Sequence, residues 1–238
     1  MEAAGFGKYL AQIMKRYLQK FLKSNHILQF GLPRSGSTLV FNILRELFPK
    51  HQIEKCHTLD NRYLDSTIVA TYRNPVDIVA SLLLVESETV SDEKIREKSV
   101  LLNKLGIWDL LTIRERSNLL LLRYEDFVDD YNVLYDRIEG HFGITISAVR
   151  RQELSAQYCR ESVKTMTCNY EDFSRYDAKT QFHGRHISGY NGSPGFSIRQ
   201  FSPGQWNKVA CYFSLFMEEM GYAVEFNLTA SSEAPLSS

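Results

Sequence analysis

The stretch GLPRSGSTLV, Gly31 to Val40, sets two glycines five residues apart and then the hydroxyl pair Ser37 and Thr38, between the apolar run HILQF and the amphipathic stretch FNILRELF. Glycine lets a backbone turn tightly and approach a phosphate, and a following helix presents unpaired N–H groups and the positive end of its dipole. Gly31 to Thr38 therefore predicts a phosphate-cradling loop between a strand and a helix; a purely structural turn is the bland alternative. In a nucleotide hydrolase the residue just before the Ser/Thr is a lysine that reaches the β- and γ-phosphates, and the hydroxyl binds Mg²⁺. Ser37 stands at that position, and no apolar strand ends in a clear magnesium-binding Asp. A triphosphate would lack its principal counter-charge. A cation comes earlier, at Arg34, where it can reach a ligand from the crown of the loop.

Three further constellations carry chemistry. EKCH closes a strand candidate, and because strand side chains alternate faces, Lys55 and His57 project on one side at its carboxyl end. A lysine there keeps a neighbouring imidazole neutral at pH 7, ready as a base, and can itself stabilise a leaving oxygen. In TYRNPVDIVAS, Arg73 ends a buried strand, and Asn74, Asp77 and Ser81 share one face of the helix that follows. An arginine with a serine hydroxyl nearby makes a second anion pocket; the alternative is an arginine that braces the helix through Asp77. LLRYEDF sets Tyr124 at a strand tip, where a ring can stack on a planar base or simply complete a pocket wall.

The elements that must position these residues follow from periodicity. Phe6, Tyr9, Leu10, Ile13, Tyr17 and Phe21 recur at helical spacing, predicting an amphipathic helix over 1–24. HILQFGL (26–32) reads as a fully buried strand, and the helix after the glycine loop runs to about Phe48. QIEKCH (52–57), TIVATYR (67–73) and NLLLLRY (118–124) are further strands, the last with a central-strand signal. Asn74 and Pro75 start a helix as N-cap and first residue, and Ser91 with Asp92 and Glu93 starts another. A helix from about Glu125 ends near Gly143, Ser147 caps the next, and Ser202-Pro203 opens a last amphipathic helix. Strands alternating with helices predict a single α/β domain over 1–238. It is a three-layer parallel sheet with helices on both faces, like a P-loop nucleotide hydrolase, with its ligands at the carboxyl ends of the strands. Residues 163–201 lack periodicity and are too long for an idle connection, so they read as an active-site loop anchored by its aromatics. The tail 227–238 reads as frayed.

The 238 residues suffice for one sizeable core, and 28 basic residues balance 28 acidic ones. Without a global positive field, an anion must be bound locally by a few aimed residues, which argues against nucleic acid as a partner. Cys56, Cys159, Cys168 and Cys211 show no CxxC pairing and read as buried free thiols rather than a zinc site or a disulfide framework. The first segment is interrupted by Lys8, Lys15, Arg16 and Lys20, unlike a signal peptide or a membrane span. A cytoplasmic protein without membrane association is the expectation.

Together the motifs resemble those of the sulfotransferases that use 3′-phosphoadenosine 5′-phosphosulfate. The resemblance spans about residues 26 to 126, with a looser fourth motif near the C-terminus. GLPRSGST is similar to the family's 5′-phosphosulfate loop. KCH is similar to its Lys-x-His strand end, which supplies a catalytic lysine and a histidine base. YRNPVDIVAS is similar to its 3′-phosphate motif, with Arg73 and Ser81 eight residues apart, and YED to the stretch whose tyrosine lies at the adenine. The resemblance implies donor contacts from Arg34, Ser35, Gly36, Ser37, Thr38, Arg73, Ser81 and Tyr124. It also implies that Gly192, Ser193 and Gly195 of GRHISGYNGSPGFSIRQF close on the 3′-phosphate, with Arg185 or Arg199 supplying charge. The donor presents a 5′-phosphosulfate and a separate 3′-phosphate, so two anion pockets are wanted and no metal. The implied chemistry is in-line sulfuryl transfer, His57 taking the acceptor's proton while Lys55, Arg34 and the loop N–H groups stabilise charge. Many soluble members carry lysine where Arg34 stands. The arginine form also occurs in protein- and glycan-modifying members, some of which use a glutamate base, which leaves Glu54 as a rival to His57.

The expected acceptor is a small molecule, either cationic or polyhydroxylated. It would be held by carboxylates and rings such as Asp60, Asp65, Tyr170, Glu171, Asp172, Phe173, Tyr176 and Asp177, with His183 or His186 entering the same site. The rival readings are a P-loop kinase or hydrolase, and a catalytically silent nucleotide-binding module.

Overall fold

A computed structural model describes residues 25–60, 63, 65–170, 175–184, 186–187, 190 and 192–226. The expected helix over 1–24, the tail 227–238, and Arg185, Asn191, Glu171, Asp172 and Phe173 lie outside the described residues.

Four strands form one parallel sheet in the order β2-β1-β3-β4: β1 (His26–Gly31), β2 (Gln52–Cys56), β3 (Thr67–Tyr72) and β4 (Leu119–Arg123). Phe30 pairs with Cys56 on one side and with Ala70 on the other. Strand alternation sends Leu28, Phe30, Ile68 and Ala70 into one core, and Ile27, Val69, Leu120 and Leu122 into the other. The first core is covered by α2 (Pro75–Val85), α3 (Asp92–Lys104), α4 (Ile107–Ile113), α10 (Pro203–Tyr212) and α11 (Ser214–Glu219). The second is covered by α1 (Ser37–Leu47), α5 (Tyr124–Phe127), α6 (Tyr131–Phe142), α7 (Ala148–Tyr158) and α8 (Arg160–Thr167). The predicted three-layer α/β fold is the observed one. No described helix is long and apolar enough to cross a membrane.

The helix starts obey the predicted chemistry. The Asn74 side chain accepts from Val76 N–H at 2.9 Å with Pro75 as the first helical residue, and Ser91, Ser147 and Ser202 cap α3, α7 and α10. Breaks inside the long apolar patterns are less legible. The helix expected from Glu125 to Gly143 is two helices, because Asp130 leaves helical geometry (φ −137°) and caps α6 through Asn132 N–H. The last helix is divided at Phe213, whose N–H is shared between the carbonyls of Val209 and Ala210.

Three expectations need correction. β4 is an edge strand of the described sheet, not a central one. Its leucine run reports helices on both faces, which says nothing about lateral pairing, and Arg137 donates to the outward-facing carbonyl of Leu121. The segment 163–201 is not irregular throughout, since α8 runs to Thr167 and α9 (Ser197–Gln200) begins at Ser197. The cysteines are free, yet Cys168 and Cys211 are exposed and the other two partly so.

From β1 the chain runs through α1 to β2 on one side, and from β3 through α2, α3 and α4 to β4 on the other, so the loops after β1 and β3 leave the sheet in opposite directions. The loop after β1 therefore sits at the topological switch point, where a ligand crevice opens at the strands' carboxyl ends.

Candidate functional site

The glycine loop is locked to β3 before it meets any ligand. Leu32 N–H bonds Thr71 O at 3.1 Å, and the buried Ser35 hydroxyl lies 2.6 Å from Leu32 O and 2.8 Å from Thr71 Oγ1. Ser35 thus holds the turn rather than facing the crevice with its side chain. Gly36 (φ 77°) precedes α1 with no side-chain cap, leaving the first N–H groups of an 11-residue helix turned to the loop. A Cβ on Gly36 would also meet the Tyr124 ring at 3.0 Å.

The carboxyl end of β2 brings a lysine and a histidine to that loop and helix end. Lys55 Nζ donates to Thr38 Oγ1 at 2.8 Å, and burial pulls its pKa down to about 8. Two residues on, His57 bonds Gly31 O through Nδ1 at 2.5 Å. A carbonyl only accepts, so Nδ1 carries the proton and Nε2 the lone pair. Burial, and to a smaller degree Lys55, hold this imidazole below its ordinary pKa and hence neutral at pH 7. Glu54, the rival base, points from the other face of β2, where it accepts from Tyr63 Oη at 2.5 Å and lies 3.5 Å from His26.

Arg34 adopts the left-handed region (φ 61°), which swings its side chain over to α2, where Nε donates to Ser81 Oγ at 3.0 Å. Burial first, and then Arg73, lower its pKa to about 10, so it stays charged at neutral pH.

Arg73 is the centre of the second pocket. It is 1% exposed, its guanidinium donates to Arg34 O, Gly192 O and Ser193 O at 3.2, 3.2 and 3.0 Å, and it lies 4.4 Å over the Tyr124 ring. Asp77 lies 3.6 Å away, and its carboxylate accepts from Gly195 N–H at 2.6 Å and Ser197 N–H at 3.1 Å. One aspartate therefore both balances Arg73 and straps the C-terminal loop onto it. Tyr124 Oη donates to Gly192 O at 2.8 Å. Arg73 lines the crevice, and among the described residues its buried Nε has no hydrogen-bond partner.

Arg34, Gly36, Ser37, Thr38, Lys55, His57, Arg73, Tyr124 and Gly192 line one cavity of about 260 Å³, together with residues that sequence reasoning did not single out, whereas Ser35, Ser81, Ser193 and Gly195 stand behind its wall. Leu39, Tyr131, Tyr158, Val163 and Phe182 form an apolar recess beside Tyr124, and Arg160 stands at its rim, donating to Asp129 Oδ1 at 2.7 Å. Leu82, Val85 and Glu86 extend the opposite end along α2. The adjacency of Leu39 to the loop was a usable signal. The others come together from four helices and the loop around Phe182 and had none. Of the acidic and aromatic residues expected to hold an acceptor, Asp60, Asp65, Tyr170, Tyr176 and Asp177 are not in the cavity wall; His183 and His186 are, and the carboxylate that lines it is Glu86, which was not expected there. Arg199 lies on α9 away from that wall.

No family model and no curated protein sequence matches the chain. Solved structures do. Mouse sulfotransferase SULT7A1 complexed with PAP (3′,5′-phosphoadenosine phosphate) superposes with TM-score 0.61 at 15% identity, over 85% of this chain and 90% of that one. Retinol dehydratase, in complex with androsterone and the inactive cofactor PAP, gives TM-score 0.59 at 14% identity, over 82% of this chain and 81% of that one. At such identities the likeness is one of fold, and the α/β fold of this chain is the fold of these two PAP-bound proteins.

Proposed function

We propose that the chain is a sulfotransferase that uses 3′-phosphoadenosine 5′-phosphosulfate and modifies a hydroxyl or amine of a small molecule. The observation that carries this reading is the buried, cavity-lining guanidinium of Arg73, whose Nε has no partner among the described residues, set apart from the uncapped helix end at Gly36. A buried guanidinium is retained where an anion completes its hydrogen bonds, and two separate anion points suit a nucleotide with phosphates at both ends of its ribose. The residues fit the group. The α1 N–H groups and Lys55 would hold the 5′ end, Arg73 the 3′-phosphate, and Tyr124 with the apolar recess the base ring. Bound there, the donor supplies a sulfuryl group with a phosphate as its leaving partner.

The chain's own residues account for the rest. His57 offers a bare Nε2 to an acceptor proton, and Lys55 and Arg34 bring positive charge to the same cavity. The Lys55 ammonium engages the Thr38 hydroxyl, the group that would bind Mg²⁺ in a nucleotide hydrolase, which weighs against the kinase reading. Calorimetry with PAP against ATP–Mg²⁺ tests the proposal. Binding of PAP in clear preference to ATP is expected, and equal or preferred ATP binding would overturn it. A protein that binds PAP but never transfers would instead be the silent nucleotide-binding module.

A further inference from the structure

His57 is not the sole imidazole of the cavity, and the second one is built with as much care. The segment that carries it is pinned to α1. Asn42 Nδ2 donates to Thr180 O at 2.8 Å, and Arg45 donates to Lys179 O. The turn closes on itself, with Asp177 Oδ1 accepting from Thr180 N–H at 2.6 Å and Tyr176 bridging His183. This brings His183 and His186 into the cavity wall with ring centroids 4.7 Å apart, and the Phe182 ring meets His186 edge-on at 4.9 Å.

The hydrogen bonds fix which nitrogen of each neutral ring holds its proton. His183 Nδ1 lies 2.5 Å from Gly184 O. A carbonyl accepts, so Nδ1 is protonated and Nε2 bears a lone pair. That lone pair lies 3.3 Å from His186 Nδ1, which must then be the donor. His186 is left with its lone pair on Nε2, as His57 is. Burial lowers both pKa values, and Arg34 and Lys55 lower them further, so both rings are neutral at pH 7. Among the described groups, His183 acts on His186 first, Arg34 and Lys55 act on both rings from the other walls, the Gly184 carbonyl acts on His183, and the apolar edge of Phe182 packs on His186.

We propose that His186, held in its Nδ1–H tautomer by His183, is a second proton-accepting group of this cavity, meeting the acceptor from a different wall than His57. This deepens the sulfotransferase reading and rests on it for the identity of the reaction. When the acceptor oxygen or nitrogen bonds the sulfur and the leaving phosphate departs, the proton displaced from an acceptor group that faces His186 goes to His186 Nε2, as one that faces His57 goes to that ring. The imidazolium so formed keeps its Nδ1–H on His183. An acceptor that presents two N–H or O–H groups, such as a diol or an amine, can then engage both imidazoles at once. His183 is a positioning residue, acting only through His186.

The tautomer is readable without turnover. In ¹⁵N-histidine NMR at pH 7, with and without PAP, His186 is expected neutral with its proton on Nδ1. His183→Phe should return it to the Nε2–H form. A wild-type His186 protonated on Nε2, or charged at pH 7, would overturn the proposal. Single-turnover release of the sulfuryl group to water should slow by about a hundredfold in His186→Gln, which keeps an acceptor atom but no basic nitrogen, with PAP affinity within about twofold of wild type. Release unchanged in His186→Gln and abolished in His57→Gln would assign the proton to His57 alone. Failure of PAP to bind wild type in calorimetry would instead sink the sulfotransferase reading and leave the tautomer result standing.

Discussion

Arg34 Nε donates to Ser81 Oγ at 3.0 Å, and through it the two anion pockets share a wall. The glycine loop and the start of α2 are far apart in sequence, yet the left-handed conformation of Arg34 puts its guanidinium on the serine that the spacing alone assigned to Arg73. Ser81 is 1% exposed, so its removal leaves a buried charged donor short of a partner. Ser81→Ala should therefore weaken PAP binding by about 1–2 kcal/mol, roughly five- to thirtyfold in Kd, through loss of the hydrogen bond that holds Arg34 in the cavity wall. Titration calorimetry reads this directly. An unchanged Kd would mean that Arg34 is held by the loop alone.

Arg73 makes a sharper prediction because its contacts use the planar fork of the guanidinium. Arg73→Lys keeps the charge but cannot reach Arg34 O, Gly192 O and Ser193 O together, nor present the orphaned Nε. PAP should bind more weakly by about 2–3 kcal/mol, roughly 30- to 150-fold. Adenosine 5′-phosphosulfate, which has no 3′-phosphate, should lose far less. Equal losses for the two ligands would show that Arg73 holds the fold rather than the 3′ end.

How much of this could be read beforehand depends on whether the information was local. The strands and the edge they serve were legible, since β1, β2 and β3 each deliver a charged or glycine-rich end to the same side of the sheet, and helix caps such as Asn74 and Ser147 declare themselves in two or three residues. Period-two alternation already placed Lys55 and His57 together, while Glu54 stayed a rival base until the fold turned it to the other face of β2. The base recess was not legible, because Tyr131, Tyr158 and Phe182 belong to separate segments with no shared pattern. Neither was the strap. In sequence Asp77 reads as a brace between Arg73 and its helix, and only the fold brings Gly195 and Ser197, more than a hundred residues later, to its oxygens.

The pH dependence follows from two buried groups. His57 serves as a base only when neutral, and burial holds its pKa below the usual 6.5. The acid limb of kcat/KM should therefore lie below pH 6.5, activity falling as pH drops through the His57 value. Lys55, brought down to about 8, loses its charge as pH rises through that value, which sets the alkaline limb near pH 8. His57, His183 and His186 are all depressed bases, so the unfolded chain binds more protons than the native one below pH 6.5, and the Tm should fall there. An alkaline limb above pH 10 in the rate profile would remove Lys55 from the charge that matters.

Gly192 tests whether the strap must press directly on the site. Its backbone is left-handed (φ 73°), and a Cβ there would sit 2.4 Å from Tyr124 Oη, the group that donates to Gly192 O at 2.8 Å. Gly192→Ala should cost about 1–2 kcal/mol from the φ alone and must also move the strap off Tyr124 and Arg73. Tyr124→Phe removes the clashing oxygen along with its hydrogen bond. The two substitutions act on one contact, so the double variant should lose less PAP affinity than the sum of the single losses, with a coupling of about 0.5–3 kcal/mol. Strictly additive losses would mean that the strap stands clear of Tyr124, and that Arg73 reaches its ligand without help from the C-terminal loop.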